Sequence, residues 1–449
     1  EKSWGLNTLQ AVQFAFYVLN QREATRTGQP AVRTFRADNT IVIASSASNG
    51  GGSAIAAAEQ DTQGLIDGVA VSEPAIEMPA NPGITVKRGN VTLPIVGKTL
   101  VDFTTYANVF QSCASLSATL AGTPFQAAYV TSFGFVAGNR CASLKAKGLL
   151  TASTTAAQAN EALQKLRDYG WEVESNDLHA SLAAFEVAPA VSVTFANALA
   201  RASVKDNLCG YSFAAVNASS LPAPIDAPSL AQMFALGNGV PPSTNVQLIN
   251  NLNPGGAKRD LLSASPSSGT LDLNADGALC LRSLVTGGDA AALRLQAGVD
   301  ETRFSGNLHG KPAVIVHGRS DALLPVSHTS RPYYALNKKV EGTTSQLSYI
   351  EVTNAQHFDT FIGLPAVLPG YDTRYVPLHV YLNRALDAVY AKLKNGTALP
   401  ASQVLRTVPR GGTAGAAPAI AAANVPAIAA VPAAGNRISF ADSTVTVPD

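Results

Sequence analysis

Thr40-Ile41-Val42-Ile43-Ala44-Ser45-Ser46-Ala47-Ser48-Asn49-Gly50-Gly51-Gly52 opens on a β-branched run and passes through serines into three glycines. Thr40 to Ala44 suits a short strand buried on both faces. The small residues Ser53 to Ala58 that follow favour a helix. Leu65-Ile66-Asp67-Gly68-Val69-Ala70-Val71 then reads as a second buried strand, ending at Ser72-Glu73-Pro74. Strand, tight turn, helix and strand make a βαβ unit, which requires a parallel sheet and hence an α/β fold.

Working outward, Leu9, Val12, Phe16 and Leu19 recur at three- and four-residue steps and predict an amphipathic helix from Leu6 to Gln21. Buried-strand patterns return at Pro312 to Val316 and at Leu347 to Val352, and a helix is expected from Pro377 to Leu393. Between Ala75 and Asn307 the pattern changes to helical segments, such as Thr155 to Tyr169, and loops. The expected division is therefore a core of residues 1–74 and 308–449 and an inserted, mainly helical lid or cap of residues 75–307. Gly411 to Gly435 is rich in Ala and Pro, and Pro418, Pro426 and Pro432 prevent a continuous helix there, so an extended surface segment is expected.

A serine hydroxyl becomes a nucleophile only with a base in hydrogen-bond reach and a third group to orient that base. Ser46-Ala47-Ser48-Asn49-Gly50 fits the G-x-S-x-G frame of the strained strand-to-helix turn in α/β-hydrolases, with serine replacing the first glycine. A glycine-rich turn that only reverses the chain is the alternative, and the flanking strand and helix argue against it. Ser46 fits less well, because Ser48 stands where the frame needs glycine. Val314-Ile315-Val316-His317-Gly318-Arg319-Ser320-Asp321 delivers an aspartate beyond a strand's carboxyl end, where open α/β sheets place functional groups. Asn354-Ala355-Gln356-His357 follows the next strand. The chain order Ser48, Asp321, His357 is the one this fold uses. Ser48 is the expected nucleophile, His357 the base and Asp321 the acid, with the Asn49 backbone amide in the oxyanion hole. Glu73 is the second candidate for the acid. Of the other histidines, His179, His309, His317, His328 and His379, both His317 and His328 flank the aspartate loop and could support it.

The 449 residues are 46% hydrophobic and 14% charged, a globular composition with room for a large core. A net charge of +1 gives no reason to expect nucleic acid or an anionic membrane surface. No run of about 18 apolar residues spans a bilayer. The polar start at Glu1 does not read as a signal peptide, so the sequence is expected to be mature or truncated. Cys113, Cys141, Cys209 and Cys280 form no C-x-x-C pair, which argues against zinc. Three pairings are open. Cys113–Cys141 with Cys209–Cys280 is favoured, because both are sequential and would staple the inserted region. Each bridge would contribute about 3–4 kcal/mol on the chain-entropy model. Four buried free thiols are the alternative. Asp272-Leu273-Asn274-Ala275-Asp276-Gly277 begins like a calcium loop, but Ser283 occupies the position that needs a bidentate glutamate, so it reads as a turn. No metal or organic cofactor is expected.

Ile43-Ala44-Ser45-Ser46-Ala47-Ser48-Asn49-Gly50-Gly51-Gly52 with Ala56-Ala57-Ala58-Glu59-Gln60-Asp61 resembles the D-(−)-3-hydroxybutyrate oligomer hydrolases. So do His317-Gly318-Arg319-Ser320-Asp321-Ala322-Leu323, Gln356-His357-Phe358-Asp359 and Val404 to Gly412, together with the contexts of Cys209 and Cys280. The resemblance runs from about Trp4 into the Ala/Pro-rich tail. It implies cleavage of ester bonds in short 3-hydroxybutyrate oligomers, Ser48 as nucleophile, and export from a bacterium to the periplasm or beyond. The chain is expected to depart from that family by lacking an amino-terminal part. Only 47 residues precede Ser48, too few for the strands and oxyanion-hole loop of a complete hydrolase sheet. A second polypeptide supplying them is therefore expected as a partner. Another exported esterase, of the tannase or feruloyl-esterase kind, and a non-catalytic binding protein on the same fold are the rival readings.

Overall fold

The computed structural model describes residues 2–28, 33–235 and 246–449. The chain divides into two units: Glu1–Leu100 with Tyr169–Ser175 and Asp300–Asp449, and Val101–Asp168 with Asn176–Val299.

The first unit is α/β. Helix α1 (Trp4–Thr27) leads to strand β1 (Ile43–Ala47), helix α2 (Ser48–Gln60) and strand β2 (Gly68–Ser72). Strand β3 (Ala313–Gly318), helix α3 (Ser330–Glu341), strand β4 (Leu347–Val352), helix α4 (His379–Asn395) and strand β5 (Gln403–Leu405) complete it. The strands lie side by side in the order β1-β2-β3-β4-β5, and every neighbouring pair is parallel. All five carboxyl ends therefore emerge at one edge of the sheet.

Both faces are covered, which is why β2, β3 and β4 are buried along their whole length. Val69, Val71, Ala313, Ile315 and Tyr349 point to one face and pack with Leu9 of α1, Ala54, Ile55 and Ala58 of α2, and Tyr333 of α3. Ala70, Val314, Val316 and Ile350 point to the other and pack with Tyr381, Ala385 and Val389 of α4. The period-2 alternation of a strand thus feeds two cores.

β1 starts three residues later than the β-branched run suggests. Its ladder with β2 runs from Ile43–Gly68 to Ala47–Ser72. Leu65 and Ile66 stay outside β2 because the Asp61 carboxylate accepts their amides at 3.0 and 2.9 Å and closes them into a loop. Residues 411–433 carry no helix or strand, and Arg384 and Tyr381 of α4 pin the segment by donating to the carbonyls of Val425 and Pro426.

Residues 75–100, 169–175 and 300–307 belong to the sheet unit, so one cut at 75 and another at 307 does not describe the division. The reason is a second, small sheet in which Thr85–Arg88 pairs parallel with Thr444–Val447. Trp171 also donates its indole N–H to the Ala322 carbonyl at 2.8 Å.

The second unit is mainly helical, with an antiparallel sheet of Tyr211–Ala215, Val246–Asn250 and Lys258–Arg259. Disulfides join Cys113 to Cys141 and Cys209 to Cys280. The calcium-like stretch is a helix start: Asn274 accepts the Gly277 amide as N-cap of Ala275–Thr286, and Asp272 accepts the hydroxyl and amide of Ser265. Among the described residues, no His, Cys, Asp and Glu group of three or more is arranged for a metal ion. Nor is any single described helix long and apolar enough to cross a membrane.

Candidate active site

Ser48 is the first residue of α2, directly after β1, and its φ of +54° places it in the left-handed region that a β-substituted residue adopts only under strain. The turn is crowded. A side chain at Gly52 would bring its Cβ within 2.1 Å of the Ala75 carbonyl oxygen, so only glycine allows the helix this close to the end of β2. The Ala75 amide donates to the Ser48 carbonyl at 3.0 Å and fixes the turn from the other side. Asn49 lies in the first turn of α2, where backbone N–H groups have no partner inside the helix and point toward any negative charge at its end.

Asp321 lies three residues beyond β3 and is buried, with 1% of its surface exposed. One carboxylate oxygen accepts the amides of Leu323 and Leu324, both at 2.8 Å. The other accepts from His357 Nδ1 at 2.8 Å and from His317 Nε2 at 3.2 Å. Burial alone would raise its pKa; the charge of His357 and the bonds from both histidines outweigh burial and hold it below the ordinary carboxylate range.

His357 lies five residues beyond β4, its side chain 8% exposed. Burial disfavours its charged form, but the charge and hydrogen bond of Asp321, followed by the charges of Glu73 and Asp359, raise its pKa above the ordinary value. With Nδ1 engaged by Asp321, Nε2 is the nitrogen left for proton transfer. The two loops brace each other. The Arg319 amide donates to Val352 O at 2.8 Å and the Ser320 amide to Ala355 O at 3.0 Å. Gly318 has no room for a side chain, since its Cβ would meet Ala355 O at 2.4 Å.

β1, β3 and β4 thus deliver Ser48, Asp321 and His357 at one sheet edge, and a direct hydrogen bond joins Asp321 to His357. Of the other histidines, only His317 reaches this group. It is fully buried on β3, bonded through Nδ1 to the Ser330 hydroxyl at 2.7 Å and through Nε2 to Asp321. The sequence signal for it is weak: a histidine four residues before the acid. His379 pairs with Asp359 at 2.6 Å, which also accepts two backbone amides and so is not available as the acid. His309 meets the Glu59 carbonyl, and His328 packs edge-on against Tyr169 and Trp171. His179 belongs to the second unit. A serine on a strained helix start, with an aspartate-bonded imidazole at the same sheet edge, is equipped for acyl transfer.

An α/β sheet with these groups at its carboxyl edge defines the class. The chain belongs to the 3HB-oligomer hydrolase family, whose model matches residues 1–449. It is 64% identical over 454 residues to the D-(−)-3-hydroxybutyrate oligomer hydrolase of Paracidovorax citrulli, covering 100% of this chain and 64% of that protein. The enzymes of the same name from Ralstonia pickettii and Cupriavidus necator are 61% and 58% identical over 457 and 452 residues, again with 100% of this chain matched and 61% and 62% of theirs. The chain therefore spans less than two thirds of the length of these relatives. No solved structure matches it.

These matches correct the expected partner. Each relative carries the whole matched stretch within one longer polypeptide, so a separate second chain supplying half of the fold is not supported. Nor do these matches give support to the expected departure from the family by a missing amino-terminal part.

Proposed function

We propose that this chain carries the active site of a serine ester hydrolase of the α/β-hydrolase type acting on short 3-hydroxybutyrate oligomers. The 2.8 Å bond between Asp321 and His357, at the sheet edge where Ser48 starts α2, carries the reading; the names of the relatives supply the substrate class. Ser48 Oγ attacks the ester carbonyl while His357 Nε2 takes its proton, and the Asn49 amide faces the developing oxyanion. His357 then protonates the leaving alcohol, and a 3-hydroxybutyryl ester remains on Ser48. Water, deprotonated by His357, releases the acid. Asp321 holds the imidazole in the tautomer this sequence needs and stabilises the imidazolium. The helical unit is the candidate lid. The two disulfides support export to an oxidising compartment.

The direct test is monomer release from a soluble (R)-3-hydroxybutyrate trimer by the parent and by Ser48→Ala. Release by the parent alone supports both substrate class and nucleophile. Cleavage of a simple butyrate ester but not of the trimer would retain the hydrolase and discard the oligomer. An unimpaired Ser48→Ala would discard the serine mechanism.

His317 has a graded role in this reading. His317→Ala removes one of four donors to Asp321 and leaves the His357 bond in place. The expected loss is about tenfold in kcat, the scale of one hydrogen bond to a charged group, with KM nearly unchanged. Steady-state kinetics on the trimer would show it; a change confined to KM would contradict the assignment.

A further inference from the structure

Glu73 follows directly on β2, the strand between those that present Ser48 and Asp321. Its φ of +30° is outside the usual range for a side chain of its size, and its amide is anchored to Val316 O at 2.9 Å on β3. The side chain is buried, with 6% exposed, and Oε2 meets no hydrogen-bond partner among the described residues. The charges that act on it come from every neighbouring strand end that carries one: His357 and Asp359 beyond β4, and Asp321 beyond β3, the latter backed by His317. Ser72 on its own strand donates a hydrogen bond, and β1 contributes only the uncharged Ser48. Burial above all, against the pull of the His357 charge and with the push of the Asp321 charge, leaves the carboxyl raised to about 8.

A carboxyl held in a strained, dry position with an unused oxygen is costly if it only fills space. We propose that Glu73 is a reserve acid for His357: a positioning residue whose carboxylate can face the imidazolium when Asp321 carries no charge. The inference rests on the serine-hydrolase reading above. With Asp321 ionised, a second negative charge beside the same imidazole is disfavoured, and Glu73 keeps its proton. Without the Asp321 charge that repulsion disappears. Glu73 then releases its proton to solvent at lower pH, and one carboxylate again faces His357 as it takes the Ser48 proton.

The experiment compares parent, Glu73→Gln, Asp321→Asn, and the double variants Asp321→Asn/Glu73→Gln and Asp321→Asn/Glu73→Asp. Trimer hydrolysis and fluorophosphonate labelling of Ser48 are followed across pH. Glu73→Gln is expected to cost about tenfold or more in the Asp321→Asn background and less in the parent. Asp321→Asn keeps the acid limb in kcat that His357 gives, and its midpoint should lie at higher pH than in the Gln double variant, because an ionised Glu73 favours the imidazolium. The Asp double variant should fall between the two. Equal factors in both backgrounds, or equal midpoints in Asp321→Asn and the Gln double variant, would overturn the proposal. Circular dichroism and urea midpoints report folding; should the Gln double variant fail to fold, the midpoint of the Asp double variant against that of Asp321→Asn decides, and equal values overturn the proposal. Failure of the underlying reading looks different: Ser48→Ala would still hydrolyse the trimer, whatever Glu73 does.

Discussion

His357→Ala is expected to lower kcat/KM on the trimer by roughly 10⁴-fold or more, the cost seen when a catalytic triad loses its base or its correct tautomer. The fold should survive. Among the described residues the imidazole donates to Asp321 alone, and that carboxylate keeps the amides of Leu323 and Leu324 and the His317 ring. The pH dependence has a definite sign. In the proposed mechanism His357 must be neutral to accept the Ser48 proton; burial disfavours its charged form, but Asp321, with Asp359 behind it, raises its pKa above the ordinary value of about 6.5. Activity of the parent should therefore rise with pH through a midpoint above 6.5 and fall away on the acid side. That limb should be absent from the residual activity of His357→Ala. Steady-state rates from pH 5 to 9 measure both features. A variant within tenfold of the parent would remove His357 from the chemistry.

The second large effect is on stability. Glu351 on β4 is fully buried and accepts from Arg319 Nε at 2.5 Å, from Arg331 Nε and Nη2 at 2.8 Å, and from the Tyr349 hydroxyl at 2.8 Å. Arg331 continues to Glu172, which also meets Arg88. Glu351→Gln leaves two buried guanidinium groups short of a countercharge, an effect of about 3–5 kcal/mol. The urea midpoint should fall accordingly with the slope unchanged. Breaking the exposed Arg26–Glu23 pair by Glu23→Gln should leave the midpoint where it was. Burial would raise the Glu351 pKa, but its two arginines hold it well below the ordinary range. Its contribution is thus present above the unfolded pKa and is lost as pH falls toward the folded one. Glu351→Gln should flatten the acid side of the stability profile. Unchanged midpoints would show the network to be dispensable. Arg319 stands two residues before Asp321, so the same network also steadies the acid loop.

Much of the candidate site can be read locally. Ser48 follows from the strand-turn-helix string around Ser46 to Gly52, and Asp321 and His357 from strand ends in the right order. In the sequence His317 is only a neighbour of the loop, because its bond to Asp321 depends on which face of β3 it occupies. Glu73 competes there for the place of the acid; its burial between two other strand ends is a property of sheet order, which no single segment encodes. Among the elements, β2 and β3 announce themselves through unbroken apolar runs, since both faces of the sheet are covered. β1 is displaced because Ser45, Ser46 and Ala47 have little intrinsic strand preference and are extended by their ladder with β2. Leu65 and Ile66 look like strand but are captured by one aspartate. β5 and the small sheet were not legible, because Gln403–Leu405 and Thr85–Arg88 are short and acquire their structure from partners remote in the chain.

The pairing of Thr444–Val447 with Thr85–Arg88 also bears on how the chain comes to be folded. A ladder between strands so distant in sequence forms only after a long loop has closed, which makes it a late and slow step. The first hundred residues cannot finish their own unit while the ribosome is still adding residue 400. Helices of the second unit, whose contacts are closer in sequence, are free to assemble during synthesis, but the sheet unit must wait until Thr444–Val447 has left the ribosome. In a chain proposed to be exported, that delay leaves the sheet unit unfinished, and therefore still threadable through a translocon, until Thr444–Val447 has been made.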